Sequence, residues 1–304
     1  MSDLAPILLF TYKRLDTLKA AVTALKKNEL AAQSDLFIFS DAAKSDHDQP
    51  TVQKVREFLK QIDGFNKVSI YESSNNKGLA RSIIEGVTKV INDYGRAIVL
   101  EDDLLTVPSF LQFTNQALSF YKDQSNVYSI SGYNYDFKVR ENGVYDNYFV
   151  TRGCSWGWAT WADRWNKVDW NIANYSDIES AAFKKSFNKS GTDLTSMLLK
   201  QRDGLIDSWA IRWYYNQWKL NGLTVYPVRS LIDNQGFDDD ATHTKVFNRY
   251  KTNLMDSQLT KFNLDPVVAI DNYYQKLMQA KFSIFTRIFW GKGMTILMKL
   301  KMVK

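Results

Sequence analysis

Three consecutive acidic residues are the strongest chemical signal in the sequence. Glu101, Asp102 and Asp103 directly follow the apolar run RAIVL at residues 96–100. Adjacent carboxylates repel one another, and a cation relieves that cost. Divalent ions such as Mn²⁺ or Mg²⁺ prefer oxygen ligands and can bridge to a substrate diphosphate. The triplet therefore predicts a divalent cation site, and the alternative is a solvated acidic turn ahead of a helix that begins near Pro108.

A second signal is the segment NNKGLARSIIEGV, in which Gly78 allows a tight turn before a helix. Lys77 and Arg81 lie near the predicted start of that helix, where backbone N–H groups also favour anions. The segment is neither a GxGxxG motif nor a P-loop. It suits a phosphate or a nearby sugar, and Arg81 suits an ion-paired surface position equally well.

Tryptophans are concentrated in GCSWGWATWADRW, at residues 153–165. Tryptophan faces stack on sugar rings, and the same side chains fill hydrophobic cores. We expect Trp156 and Trp158, which flank a glycine, to form a wall that faces an acceptor. For each tryptophan taken singly, a core position is the alternative.

Two further segments contain candidate proton-transfer or ligand-binding groups. Asp207 lies in the otherwise apolar segment DSWAIRW, where a carboxylate could act as a general base or cap a helix. His243 follows the polar loop QGFDDDAT, which is long enough to close over a ligand. His47 lies in a hydrophilic loop and is expected to be solvated.

The elements that must position these residues alternate between strand and helix patterns over the first 130 residues, which is typical of βαβ units and a parallel sheet. Parallel sheets bind ligands beyond the carboxyl ends of their strands. The polar residues after each strand therefore belong to one predicted site. Strands are predicted at 6–10, 35–40, 67–72, 96–100 and 127–131, and helices at 15–28, 51–63, 79–93 and 108–122.

Composition limits the function classes. The chain has 304 residues, of which 45% are hydrophobic, enough for a large core. Its single cysteine, Cys154, excludes an internal disulfide framework and a cysteine-rich zinc site, and it favours a reducing, cytoplasmic compartment. No stretch reaches the roughly 18 apolar residues of a membrane span, and the first residues lack the basic region of a signal peptide.

The charge distribution sets the end of the chain apart. The net charge is +6, but the seven basic residues after Asp271 are accompanied by no acid, so the preceding body carries −1. A near-neutral body argues against nucleic acid as a partner. We expect a nucleotide-sugar-binding half at 1–131, an acceptor-binding half of the same domain at 132–274, and a basic amphipathic tail at 275–304 that associates peripherally with an anionic membrane.

These motifs, in this order, resemble glycosyltransferases of the GT-A type, most closely the N-acetylglucosaminyltransferase I family and related bacterial capsule and O-antigen glycosyltransferases. The resemblance extends from about Ile7 to Thr244. Its most specific pieces are VLEDDLLTVPSFLQF, LARS, YSISGYN, GWATWADRW and NQGFDDDATHT. It implies a Rossmann-like, mostly parallel α/β sheet flanked by helices.

The resemblance also implies roles for individual residues. Arg14 is expected to meet phosphate, Asp41 the uracil ring, and Arg81 the nucleotide-sugar. Asp103, in the DxD-type position, matches the direct metal ligand. The remaining positions implied for the donor are Asp102 toward ribose or a metal-bound water, Glu101 toward the donor sugar, and His243 in a loop over the donor.

The match is incomplete at the catalytic base. The family has paired acids before a tryptophan, whereas here Asp207 is followed by Ser208 at the position of the catalytic acid. Asp207 is expected to serve with a shift of one residue, and Asp238, Asp239 and Asp240 are the alternatives.

The resulting expectation is a cytoplasmic, inverting, Mn²⁺- or Mg²⁺-dependent glycosyltransferase. It would transfer a hexosyl or N-acetylhexosaminyl group from a UDP-sugar to a hydroxyl of a glycan, lipid-linked, in bacterial surface polysaccharide synthesis. The alternatives are a sugar nucleotidyltransferase and a non-catalytic, membrane-bound glycan-binding subunit.

Overall fold

The computed structural model describes residues 4–172, 175, 177–236, 250–255 and 259–286. The strands are β1 (Ile7–Thr11), β2 (Asp35–Ser40), β3 (Lys67–Glu72), β4 (Arg96–Glu101), β5 (Leu104–Thr106), β6 (Val127–Ser131), β7 (Asn147–Val150), β8 (Trp158–Trp161), β9 (Leu223–Pro227) and β10 (Ile232–Asn234). The helices are α1 (Leu15–Lys26), α2 (Gln49–Leu59), α3 (Leu79–Tyr94), α4 (Phe110–Phe120), α5 (Ala162–Trp165), α6 (Ala181–Phe187), α7 (Asp193–Arg202), α8 (Trp209–Lys219) and α9 (Asn272–Lys281). Short 3-10 turns occupy Ala31–Gln33, Asp46–Asp48 and Asn188–Ser190.

Eight of these strands form one mostly parallel sheet that is flanked by helices, which confirms the predicted α/β fold class. Within the described ranges its strand order is β3-β2-β1-β4-β8-β6-β9-β7, and β3, β2, β1 and β4 are parallel neighbours. The five predicted strands differ from the observed ones by at most one residue at either end. A small separate sheet pairs β5 with β10 in antiparallel register.

The sheet departs from a simple parallel arrangement beyond β4. The fifth predicted strand, β6, is not adjacent to β4, because β8 lies between them and is antiparallel to both. β9 is parallel to β6, and β7 closes this side as an antiparallel strand. The carboxyl ends of β1, β2, β4, β6 and β9 consequently point to the same edge of the sheet.

Successive side chains along a strand point to opposite faces of the sheet, so the apolar residues form two cores, one on each face. On β1, Ile7 and Leu9 pack with residues of α1, α2 and α4. Leu8 and Phe10 point the other way and pack with α3 and α8. Because β1 is buried along its whole length, both faces must be apolar, which accounts for the continuous run ILLF.

The second core corrects the prediction for Trp158. This side chain is only 1% exposed, and its ring stacks against Trp165 at 5.7 Å and Trp209 at 5.0 Å. Trp158 begins β8, where it pairs in register with Val99. A side chain enclosed in this way cannot face an acceptor, so Trp158 belongs to the core.

The end of the described chain packs on the body. Asp271 caps α9 by accepting hydrogen bonds from two backbone N–H groups, and the Tyr274 ring stacks on Tyr148 at 3.7 Å. Phe282 is buried beneath the guanidinium of Arg152. The predicted boundary at residue 275 therefore falls inside α9, and the first part of the predicted tail is packed structure.

Residues 287–304, which hold most of the predicted tail, lie outside the described residues. Within the part that is described, none of the helices combines the length and the apolar character needed to cross a bilayer.

Candidate active site

A cleft of about 490 Å³ lies at the edge of the sheet where β1, β2 and β4 end. Its lining comes from the residues that follow those strands, together with the start of α3. Parallel strands bring these loops together even though they are far apart in sequence. The polar residues lining the cleft are Thr11, Tyr12, Lys13 and Arg14 after β1, Asp41, Lys44 and Asp48 after β2, Asn76 and Ser82 around the start of α3, and Glu101, Asp102 and Asp103 after β4.

An ion-paired network joins the first and fourth of these loops. Nη2 of Arg14 lies 2.5 Å from Oδ1 of Asp102 and 2.8 Å from Oδ2 of Asp103. Burial opposes the charge of the guanidinium, but the two carboxylates outweigh it and raise the pKa of Arg14. The cation that relieves repulsion between these acids is thus supplied by the chain itself. We expected Arg14 to meet phosphate; it lies in the cleft, and its side chain bonds both acids.

The acids of the triplet are not equivalent. Asp102 is 3% exposed, and its Oδ2 accepts hydrogen bonds from the Thr11 hydroxyl at 2.8 Å and from the Tyr12 backbone N–H at 3.3 Å. Its other oxygen is held by Arg14. Burial raises the pKa of Asp102, and Arg14 opposes that shift. Asp102 is therefore an anchor between β1 and β4, and each of its oxygens already accepts at least one hydrogen bond.

Asp103 is the acid that offers a coordination position. Only its Oδ2 is bonded to Arg14, and its Oδ1 accepts no hydrogen bond from any residue that the structure describes. Glu101 lies beside it, and burial together with the charges of Asp103 and Asp102 raises the pKa of Glu101 to about 8. Among the described residues no group of three or more His, Cys, Asp or Glu side chains converges as metal ligands. Among the described residues, Asp103 is thus the side chain that could hold a cation here.

Asp41 organises the opposite wall of the cleft. Its carboxylate accepts hydrogen bonds from the backbone N–H groups of Ala42, Lys77 and Gly78, all at about 2.9 Å, and from the Asn76 amide at 3.2 Å. Gly78 has a φ of 73°, a left-handed conformation that glycine adopts without strain. Asp41 lies in the cleft as expected, but both of its oxygens already fix the loop that leads into α3.

Arg81 lies outside the cleft, on the exposed surface of α3. Its guanidinium is 66% exposed and pairs with Glu85 one turn along α3, and Lys77 pairs with the same carboxylate. Arg81 does not line the cleft. The geometry matches the surface ion pair that the sequence allowed as the alternative.

Sequence reasoning missed part of the wall formed after β1 and β2. The Tyr12 hydroxyl donates to Asp48 at 2.9 Å and accepts from the Lys44 backbone N–H at 2.8 Å, while Lys13 pairs with Asp48 at 2.8 Å. Tyr12 directly follows β1, which was a usable signal. Asp48 lies in the hydrophilic segment KSDHD, which gave no such signal, because Tyr12 and Lys13 are more than thirty residues away in sequence.

The loop that contains His243 starts beside the triplet. β10 pairs with β5, and the backbone N–H of Gln235 donates to the Asp103 carbonyl at 2.9 Å. A Cβ on Gly236 would lie 2.4 Å from Oδ2 of Asp103, so any other residue here would have to displace that carboxylate. His243 and the alternative bases Asp238, Asp239 and Asp240 lie outside the described residues.

Asp207 lies at the beginning of α8. Ser208, not Asp207, caps the helix by accepting from the Ile211 N–H. The Asp207 carboxylate is 67% exposed and pairs with Arg212 at 2.7 Å. Because Trp209 stacks on Trp158, which is in register with Val99 near the end of β4, α8 begins at the same edge of the sheet as the triplet. Asp207 does not line the cleft around the triplet.

Trp156 differs from Trp158 in being partly exposed. It is half-buried and makes edge-to-face contacts with Tyr133 at 4.7 Å and Tyr250 at 5.1 Å. It precedes β8 and so lies at the same edge of the sheet. The two tryptophans that were expected to act together are thus separated, one into the core and one onto the edge.

Comparison with known proteins adds a set of remote structural similarities. No family model and no curated protein matches the chain. TarS 1–349 from S. aureus aligns at 10% identity over 75% of this chain and 59% of that one, with a TM-score of 0.41. Mouse xyloside xylosyltransferase 1 aligns at 9% identity over 71% and 81%, with a TM-score of 0.36. A mannosyltransferase from Pyrobaculum calidifontis, solved with GDP-Man and Mn²⁺, aligns at 12% identity over 42% and 37%, with a TM-score of 0.27.

The chain spans well under two thirds of the length of the TarS and Pyrobaculum chains. Two of these three structures are named as glycosyltransferases, the xyloside xylosyltransferase and the mannosyltransferase.

The different surroundings of Asp102 and Asp103 predict different effects on stability. Asp102→Asn turns an amide toward donors that need an acceptor, so we expect it to lower the free energy of unfolding by about 1–3 kcal/mol. Asp103→Asn relieves repulsion and leaves Arg14 paired with Asp102, so its effect should stay within about 0.5 kcal/mol. Urea denaturation of the two variants measures this difference. Equal losses would show that Asp102 is not the anchor.

Proposed function

We propose that the chain is an inverting, metal-dependent glycosyltransferase that transfers a sugar from a UDP-sugar to a hydroxyl of a glycan. The observation that carries the proposal is Asp103, held beside Arg14 in a cleft where three parallel strands end, with one carboxylate oxygen that no described residue bonds. A diphosphate placed there meets a guanidinium and, through a cation, a carboxylate. This combination suits a reaction in which a nucleoside diphosphate leaves.

The residues present fit a divalent cation. Asp103 would hold Mn²⁺ or Mg²⁺ through its Oδ1, which provides the hard oxygen donor that such ions prefer. When bound, the ion neutralises the charge that develops on the departing diphosphate. Arg14 holds the other oxygen of Asp103 and adds positive charge on the same side. Asp102 positions both groups, which differs from the ribose contact that the resemblance implies.

The nucleotide would occupy the part of the cleft between the loops after β1 and β2. Tyr12 and Lys13 line one side, and the loop fixed by Asp41 lines the other. Asp41 would act here mainly through that loop, since its oxygens are occupied. Glu101 would face the donor sugar, and His243 would act from the loop that begins at Gly236.

In the transfer step the acceptor hydroxyl oxygen bonds to the anomeric carbon as the bond from that carbon to the UDP oxygen breaks. The hydroxyl proton passes to a carboxylate base. Asp207 is our first choice, because α8 begins at the site edge, and it would have to leave Arg212 to accept the proton. Asp238, Asp239 and Asp240 remain the alternatives.

Two other functions are less well supported. A sugar nucleotidyltransferase would be expected to carry a glycine-rich segment after the first strand, where this chain has TYKR. A non-catalytic glycan-binding subunit would have no use for an acid with a free oxygen beside an arginine in the same cleft. The acceptor in our proposal is lipid-linked, as expected for bacterial surface polysaccharides, and the basic tail brings the enzyme to the anionic inner face of the membrane.

The central test of this proposal is the metal dependence of UDP binding. Asp103→Ala removes the proposed ligand, so calorimetry should detect UDP binding that requires Mn²⁺ in the wild type and none in the variant. Transfer to an acceptor should be lost with it. Arg81→Ala is the matched control, because Arg81 lies outside the cleft and should leave UDP affinity unchanged. Unchanged Mn²⁺-dependent binding in Asp103→Ala would refute the metal assignment.

The assignment of the base has its own test. Asp207→Asn should lower turnover by roughly a hundredfold or more, as is usual when a general base is lost, with UDP affinity preserved. Arg212→Gln frees Asp207 without removing it and should retain activity. If Asp207→Asn stays active while an Asn substitution at 238, 239 or 240 abolishes turnover, the base belongs to the loop.

The tail can be tested by truncation after Thr286, which keeps the buried Phe282 in place. We expect the shortened chain to lose sedimentation with liposomes that contain anionic lipid, because each lysine or arginine near such a surface contributes about 1 kcal/mol. Transfer to a short soluble acceptor should be retained. Equal sedimentation of the truncated and full chains would exclude the tail as the membrane anchor.

A further inference from the structure

A second groove, of about 340 Å³, lies apart from the cleft that holds the acidic triplet. It forms where the chain leaves β6 and β9, and the segment that contains Thr252 and Asn253 closes its side. The groove is mostly polar, and it contains no residue that has been given a role above. Its lining residues are Asn134, Asp136, Phe137, Lys138, Val139, Val228, Arg229, Thr252 and Asn253.

Sheet topology places this groove on the same edge as the cleft. β6 and β9 run parallel to each other, and β6 has the same direction as β4 because each is antiparallel to β8. β6 is the second strand from β4 and β9 the third. With adjacent strands about 4.8 Å apart, the groove is roughly 10–15 Å from the triplet along the edge, which a short oligosaccharide can span.

Trp156 lies between the groove and the cleft that holds the acidic triplet. It precedes β8, the strand that separates β4 from β6, and its ring contacts Tyr133 and Tyr250. Tyr133 is the residue before Asn134, which lines the groove. An aromatic side chain in this position offers a face to a sugar ring.

The groove is lined by two cations, Lys138, which pairs with Glu141, and Arg229, which is exposed. Arg229 forms no hydrogen bond or ion pair with the residues that the structure describes, whereas each of the other nine arginines in those ranges has at least one such partner. A guanidinium presents a planar fork that matches a carboxylate or a phosphate with two parallel hydrogen bonds. The nine paired arginines are Arg14, Arg56, Arg81, Arg96, Arg140, Arg152, Arg164, Arg202 and Arg212.

The groove around Arg229 is already organised. Asn134 donates its amide to the Val228 carbonyl at 2.7 Å, and Thr252 donates its hydroxyl to the Asn134 carbonyl at 2.8 Å. Oδ1 of Asp136 accepts from the Asn253 amide at 2.8 Å. The other oxygen of Asp136 accepts no hydrogen bond from the described residues, so it is open to a sugar hydroxyl. The walls are therefore fixed, while the Arg229 guanidinium and one oxygen of Asp136 have no partner among the described residues.

We infer that this groove is an acceptor subsite for a glycan that carries a negative charge. Arg229 would bind a carboxylate or phosphate on an acceptor sugar, Asp136 a hydroxyl, and Trp156 the sugar face between the groove and the reacting end. The inference rests on the proposed glycosyltransferase function and specifies the chemistry of its acceptor.

Titration by saturation-transfer NMR with three matched probes tests this inference on the full chain. The probes are cellobiose, its analogue with a terminal uronate, and its 6-phosphate. We expect at least one charged probe to bind about tenfold more tightly than cellobiose, a difference of about 1.4 kcal/mol. A gain with the uronate alone identifies a carboxylate as the ligand, and a gain with the phosphate alone identifies a phosphate.

Two variants with the same change in charge separate a specific contact from general attraction. Arg229→Gln should abolish the preference for the charged probe. Arg202→Gln removes an exposed arginine that pairs with Glu179 and Asp203, and it should keep the preference. Equal binding of all three probes by the wild type, or a preference retained in Arg229→Gln, would overturn the inference.

Calorimetry with UDP and Mn²⁺ on the same preparations keeps the two proposals distinguishable. UDP binding without a preference for charged probes would overturn the subsite alone. A charge preference that depends on Arg229, without UDP binding, would overturn the proposed donor chemistry and leave the groove as a glycan-binding site.

Discussion

The pairing of Arg14 with Asp102 and Asp103 is the interaction on which the site depends. Two adjacent carboxylates at the end of a buried strand repel each other, and the guanidinium lies within hydrogen-bond distance of both. The pairing ties the loop after β1 to the loop after β4, and the bonds from Thr11 and Tyr12 to Asp102 strengthen that tie. Asp103 lines the cleft, and its Oδ1 accepts no hydrogen bond from the described residues, so the contacts that tie the two loops together leave that oxygen for the proposed cation.

The loops that follow the parallel strands form two separate cavities along one edge of the sheet. The loops after β1, β2 and β4 form a cleft suited to a nucleoside diphosphate, and those after β6 and β9 form the groove that contains Arg229. β8 separates the two sets and contributes Trp156 just before it begins. The antiparallel insertion of β8 therefore spaces the proposed donor and acceptor regions, which a continuous parallel sheet would have placed on adjacent strands.

Strand and helix positions in the first half were predictable because each depends on local periodicity and on the apolar runs of a buried sheet. The insertion of β8 was not, since strand order is decided by contacts distant in sequence. Trp156 and Trp158 illustrate the same limit: identical residues two positions apart differ because Trp158 meets Trp209 from α8. The triplet was recognisable from three adjacent charges, whereas the occupation of both Asp41 oxygens depends on a loop 35 residues away. The packing of Phe282 on the body was not predictable either, because its partner Arg152 is distant in sequence.

Asp102 is the proposed anchor and Asp103 the proposed metal ligand, and a crystal structure of the chain with UDP and Mn²⁺ tests this distinction most directly. We expect the ion bound to Asp103 and to the diphosphate, the nucleotide between the loops after β1 and β2, and Asp102 still bonded to Thr11 and to the Tyr12 backbone. A structure with the ion on Asp102 and the Thr11 bond broken, or with UDP outside this cleft, would contradict the account.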